Sequence, residues 1–145
     1  MKTELKNVES AVAAVTSAPA DATERVVAEI KIGEGIHQGD VYLWRVADSH
    51  PRGKALGTRQ VAVGTSIGSR HVVLSSGVEV FAGEKLPEWV KAPDWCQPGD
   101  LLGPVVVATE ETVLTHPEHA HCRFPAGTYQ VTYQASYATR RRVQD

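Results

Sequence analysis

Between residues 116 and 122 the chain reads His-Pro-Glu-His-Ala-His-Cys, so three of its six histidines and one of its two cysteines fall within seven residues. Neutral imidazole is the commonest protein ligand for metals, and a cysteine thiolate is soft enough to join it around zinc. On an extended backbone His119 and His121 point to one face, about 7 Å apart at the backbone. Pro117 suits the first position of a helical turn, and such a turn swings His116 towards His119. His116, His119 and His121 then offer three nitrogens to a divalent metal such as zinc or iron, with Glu118 or Cys122 nearby. His71 is the further metal ligand expected from elsewhere in the fold, and His37 and His50 are the other histidines that folding could bring in. The zinc-type motif is incomplete, because no second ligand pair at a recognisable spacing accompanies it. The same residue types also serve acid–base chemistry or sit unengaged in surface loops.

Other sources of chemistry are weaker. No Gly-x-Ser-x-Gly nucleophile elbow occurs. Gly64-Thr65-Ser66-Ile67-Gly68 is glycine-rich but has neither a P-loop lysine nor a following helical pattern, which argues against phosphate binding by that route. Arg140-Arg141-Arg142 reads as a solvated basic end, since no aromatic residues interleave with it.

Pro125-Ala126-Gly127-Thr128-Tyr129, following a His-x-His element, resembles the cupin barrels, whose metal-binding histidines lie near a Pro-x-Gly turn. The resemblance covers about a dozen residues and implies a small β-barrel able to hold a metal. The cupin order of a His-x-His, a nearby Glu and a later lone His is not reproduced, because His71 precedes the cluster. No cupin residue roles are carried over.

The elements that must position these residues are short strands. Leu5, Val8, Val12 and Val15 line one face of an N-terminal helix, and Ser17-Ala18-Pro19-Ala20-Asp21 ends it in a linker. The spacing predicts a helical or flexible arm over residues 1–24, followed by one β-rich domain over 25–145. From Arg25 onward the apolar period shifts towards two. Strands are expected over Arg25–Ile32, Val41–Val46, Arg59–Thr65, His71–Leu74, Val78–Phe81, Leu101–Thr109 and Thr128–Tyr137. Asp48–Gly53 reads as a loop. Ser75-Ser76-Gly77 between two β-branched runs reads as a hairpin turn. Lys85–Gly99 carries three prolines and two of the three tryptophans, Trp89 and Trp95, and is expected to fold back over one end of the domain. Gln38-Gly39-Asp40 and Pro98-Gly99-Asp100 form a faint internal echo, each opening a strand.

A chain of 145 residues can bury a full core without disulfides or metals, and its net charge of −2 argues against a general nucleic-acid binder. Met1–Lys6 carries charges of both signs and no signal-peptide core, and no apolar run approaches the length of a membrane span. These features predict a cytoplasmic protein with reduced cysteines. The fold class expected is all-β, a small barrel or sandwich of short antiparallel strands. Two functions fit it. One is a non-catalytic binding or assembly module, with Leu5, Val8, Val12 and Val15 meeting a protein partner or a second copy. The other is a small cupin-like metal-dependent barrel enzyme using the His116–His121 cluster, and catalysis stays open between them.

Overall fold

The computed structural model describes residues 24–63, 70–116, 119–136 and 141–142. The expected N-terminal helix and its Leu/Val stripe lie outside them. Two sheets packed face to face form an all-β sandwich. The six-stranded sheet runs in the order β2 (Gly35–Gln38), β3 (Val41–Val46), β11 (Gly127–Tyr133), β8 (Leu102–Ala108), β7 (Val78–Gly83) and β4 (Arg52–Ala55). The five-stranded sheet runs β1 (Glu24–Val26), β10 (His121–Phe124), β9 (Thr112–Thr115), β6 (Arg70–Leu74) and β5 (Gln60–Val63). Every pairing in the two sheets is antiparallel except that of β1 with β10. A single helical turn, α1 (Pro98–Leu101), leads into β8, and β12 (Ala135–Ser136) pairs with β13 (Arg141–Arg142).

Period two decides which side chains enter the core. Val41 and Leu43 of β3, Val78 and Val80 of β7, and Tyr129 and Val131 of β11 meet Val61, Val73, Leu114, Cys122 and Phe124 from the other sheet. Phe124 and Tyr129 touch edge to face, with ring centroids 5.0 Å apart. Each fully buried apolar side chain of this size contributes about 1.5–3 kcal/mol. The opposite face of β11 is buried as well, since Thr128, Gln130 and Thr132 are all at most 3% exposed. Pro104 and a register slip between Gln130 and Thr132 interrupt the β11–β8 ladder there. The Gln130 amide repairs the gap by donating to the carbonyls of Gly103 and Pro104.

Several expectations need correction. Ser75–Gly77 is not a hairpin turn, because β6 and β7 belong to different sheets. Each of those strands finds two better partners, and the turn becomes a corner tied by Ser75 Oγ to Glu110 and by Thr109 N–H to the Gly77 carbonyl. A side chain at position 77 would come within 2.6 Å of Thr109 Oγ1, which explains the glycine. The strand expected over Arg25–Ile32 pairs only at Glu24–Val26. Gly35–Gln38, where no strand is expected, and Arg52–Ala55, which overlaps the end of the expected Asp48–Gly53 loop, become edge strands. Lys85–Gly99 is irregular as expected, but Trp89 meets Trp44 edge-on, with centroids 6.3 Å apart, on the outer face of the six-stranded sheet. The Gly-Asp echo does not correspond structurally: Gly39-Asp40 is a strand-to-strand turn, whereas Gly99-Asp100 lies inside α1.

Candidate histidine site

One end of the space between the sheets is polar. In the β6–β9 ladder Val72 faces Thr115 and Val73 faces Leu114, so the next step of the register sets His71 opposite His116. Alternation points both inward, following Val73 and Leu114, and they are 1% and 3% exposed. Their ring centroids lie 4.4 Å apart. His119 arrives from the connection between β9 and β10, with its ring 4.3 Å from that of His116 and 6.0 Å from that of His71. It is half-buried, so this imidazole stands between the interior and solvent.

The other sheet closes the site from the β2–β3 turn. Gly39 takes a positive φ of 59° there, a conformation that costs glycine little. The turn sends Gln38 and Asp40 inward, 1% and 4% exposed. Gln38 Nε2 donates to the carbonyls of Leu114, at 2.9 Å, and Ala120, at 2.8 Å, and so stitches the hairpin to the strands that carry the histidines. Gln38 Oε1 lies 2.8 Å from His71 Nδ1. The other ring nitrogen of His71 lies 3.4 Å from Asp40 Oδ1, and that buried oxygen accepts no hydrogen bond from the described residues.

The sequence-predicted residues divide cleanly. His71, His116 and His119 are brought together, and no ring contact joins His121 to them. The reason is local. His119 sits in a bend before β10, so strand alternation does not relate it to His121. Within β10 the inward positions belong to Cys122 and Phe124. His37 lies on β2 with its ring against Tyr42, and His50 bonds Gln130 on the outer side of the six-stranded sheet. Cys122 is 1% exposed, and the Arg25 guanidinium reaches both its sulfur and the His37 carbonyl. Burial pushes the Cys122 thiol above its usual range, with Arg25 opposing, so this sulfur is held protonated in the core. Among the described residues no group of three or more His, Cys, Asp or Glu side chains is placed so that it could hold a metal ion. Adjacent imidazoles lie tilted against one another by 34° and 41°.

Sequence reasoning missed Gln38 and Asp40 as site residues. Their only signal was the Gly-Asp turn they flank, and nothing local indicates what that turn faces.

Comparison with known proteins places the fold within a family. A family described as a domain of unknown function, DUF8820, matches residues 37–134, and the chain belongs to it. The match runs from the β2–β3 hairpin through β11 and so contains every residue of the histidine site. Neither a curated protein nor a solved structure matches the chain. No helix among the described residues is long and apolar enough to cross a membrane.

Proposed function

For this member of the DUF8820 family we propose metal binding, with one divalent cation of the zinc or iron type held at the end of the sandwich by His71, His116 and His119. The observation that supports it is the convergence of three imidazoles, two buried and one half-buried, from three separate chain positions at ring separations of 4.3 to 6.0 Å. Two histidines on one metal, bound at about 2.0–2.1 Å, have ring centroids roughly 4.5–5 Å apart. Binding therefore needs small movements of the strands and a turn of the His116 and His119 rings about their Cβ–Cγ bonds, a torsion that is broad for imidazole. The half-buried His119 gives the cation a route in from solvent. This reading keeps the cupin-like alternative without adopting cupin residue roles, and it replaces His121 by His71 as the third imidazole.

Elemental analysis of untagged protein, with zinc, iron and manganese titrations of the chelator-treated form, tests the proposal. One equivalent of metal is expected, lost in a His116→Ala, His119→Ala double variant. Protein that takes up none of the three metals overturns it.

A second reading, assembly through protein contacts, draws on the five-stranded sheet's edge. Val26 is 51% exposed on the edge strand β1, and Ile32 is 60% exposed six residues on. Exposed apolar groups at an unpaired strand edge favour association. Removal of residues 1–20, which carry Leu5, Val8, Val12 and Val15, is expected to abolish association of the full chain as read by its mass in solution. An unchanged mass argues against this role.

A further inference from the structure

The histidine site lies where β3 begins, and Arg45 stands near the other end of that strand. Independently of the metal reading, we infer that Arg45 and the segment Ala28–Ile32 form a second site, which binds a small organic carboxylate with an apolar body. Val41, Leu43 and Arg45 alternate onto the inner face of β3, and Arg45 lies directly opposite Tyr129 of β11. Its guanidinium carbon sits 5.9 Å from the centroid of the Tyr129 ring. A Cβ at Gly127 would come within 2.7 Å of Arg45 Cζ and Nε, so the glycine leaves the room that the guanidinium occupies. The Tyr129 hydroxyl donates to the Pro125 carbonyl and holds that proline in place. Arg45, Pro125 and Ala28–Ile32 surround a cavity of about 390 Å³, within the roughly 300–1,000 Å³ of small-molecule sites.

Side chain and backbone both favour an anion there. Arg45 Nη1 donates to the Ile30 carbonyl at 3.1 Å, and no carboxylate among the described residues forms an ion pair with the guanidinium. A half-buried cation without a counter-ion is costly, and a planar guanidinium takes a carboxylate through two parallel hydrogen bonds. The backbone segment is tied at its ends, by Val27 N–H to the Arg123 carbonyl at 2.8 Å and Gly33 N–H to the Arg45 carbonyl at 3.0 Å. Between those ties the amides of Ala28, Glu29 and Ile30 donate to no described residue, although alternation there suits a strand. Backbone amides left open beside a cationic side chain make an anion cradle. Lys31 adds a positive charge to the lining and Glu29 a negative one, which with Arg45 leaves one positive charge, the complement of one carboxylate. Ala28, Ile30, Ile32 and Pro125 supply apolar walls. Ile32 is 60% exposed, an aliphatic group that a bound hydrocarbon body would cover.

The test titrates the full chain with hexanoate and follows backbone amide and arginine Nε–H signals by NMR. Saturable shifts are expected at Ala28, Glu29, Ile30 and the buried Arg45 Nε–H. Hexanol lacks the charge and inorganic phosphate lacks the apolar body, and each is expected to bind at least about 10-fold more weakly. Arg45→Gln is expected to weaken hexanoate binding by about 10- to 100-fold, the weight of one or two hydrogen bonds to a charged group. Arg45→Lys keeps the charge without the fork and should fall between the parent and Arg45→Gln. No saturable shift with hexanoate, or equal affinity of the parent and Arg45→Gln, overturns the site. Phosphate or hexanol binding as tightly as hexanoate overturns the ligand class. Should Arg45→Gln fail to fold, the parent decides, because an Arg45 Nε–H signal that stays still while hexanoate shifts other signals rejects this site. Zinc is expected to leave the hexanoate affinity unchanged, so this inference and the metal reading stand or fall separately.

Discussion

Among the described residues two buried glutamines each meet a histidine, and they solve different problems. Gln130 is fully buried, and its Nε2 donates to the carbonyls of Gly103, Pro104 and Val131. Its Oε1 lies 2.8 Å from His50 Nε2, which also lies 3.1 Å from the Lys85 carbonyl. No carboxylate enters that constellation, and the amide fills a gap left by a proline and a register slip. Gln38 likewise donates to two carbonyls and meets a histidine at 2.8 Å. There, however, the histidine stands against a buried carboxylate oxygen. A polar network that exists to hold the fold is satisfied throughout. In the second network Asp40 Oδ1 has no hydrogen-bond partner among the described residues, and neither do Arg45 Nε and Arg52 Nη1 elsewhere in the sandwich.

The contrast can be broken first at Gln130. Gln130→Ala removes the amide's two N–H donors and the oxygen that meets His50, about 1 kcal/mol for each hydrogen bond, and leaves carbonyls unmet. A loss of about 3 kcal/mol is expected in urea unfolding, with zinc affinity unchanged. A change in zinc affinity would show that the two networks are coupled.

Tyr129, adjacent to Gln130 but facing the core, sharpens the structural side. Burial pushes its phenol up to about 12 from the ordinary 10.0, with Arg45 opposing. The unfolded chain thus ionises this group first, so its contribution to stability is intact below pH 10 and is lost as pH climbs towards 12. Across that window stability should fall by up to about 1.4 kcal/mol per pH unit. Tyr129→Phe should flatten this part of the profile, at a cost near 1 kcal/mol for the bond from its hydroxyl to the Pro125 carbonyl.

Asp40→Asn gives the smaller and opposite effect on the fold. Without added metal it should leave the unfolding midpoint unchanged or raise stability by up to about 1 kcal/mol, because a buried charge is neutralised. A loss beyond about 2 kcal/mol would make Asp40 a structural residue like Gln130. His121→Ala should change zinc affinity least, by less than about twofold, equivalent to under about 0.4 kcal/mol. A tenfold loss would restore His121 to the site.

Much of the fold was legible because alternation is a local signal. Val41–Val46 is found where period two put it, and the strand expected over Thr128–Tyr137 runs over Gly127–Tyr133 and stops short. His116 and His119 do lie together, but the turn at Pro117 expected to bring them there falls outside the described residues. Gly35–Gln38 and Arg52–Ala55 were not legible, because their composition signals turns and only the neighbouring strand makes them extended. The Ser75–Gly77 turn misled for a related reason. Turn chemistry says that the chain reverses, and not which sheet receives it. Gln38 and Asp40 lay furthest from reach, since Gln38 meets partners 76 and 82 residues away.

The parallel pairing of β1 with β10 has a consequence for how the molecule assembles and loosens. Three residue pairs and the Arg123–Glu24 ion pair join segments about a hundred positions apart, with Glu24 facing His121 at the end nearest the imidazoles. Closing so long a loop returns few contacts, which makes β1 a clasp fastened last in folding and released first. Amide exchange should therefore begin at Val27 and spread into β10 while Val131 is still protected, so that loosening starts at the doorway of the histidine chamber.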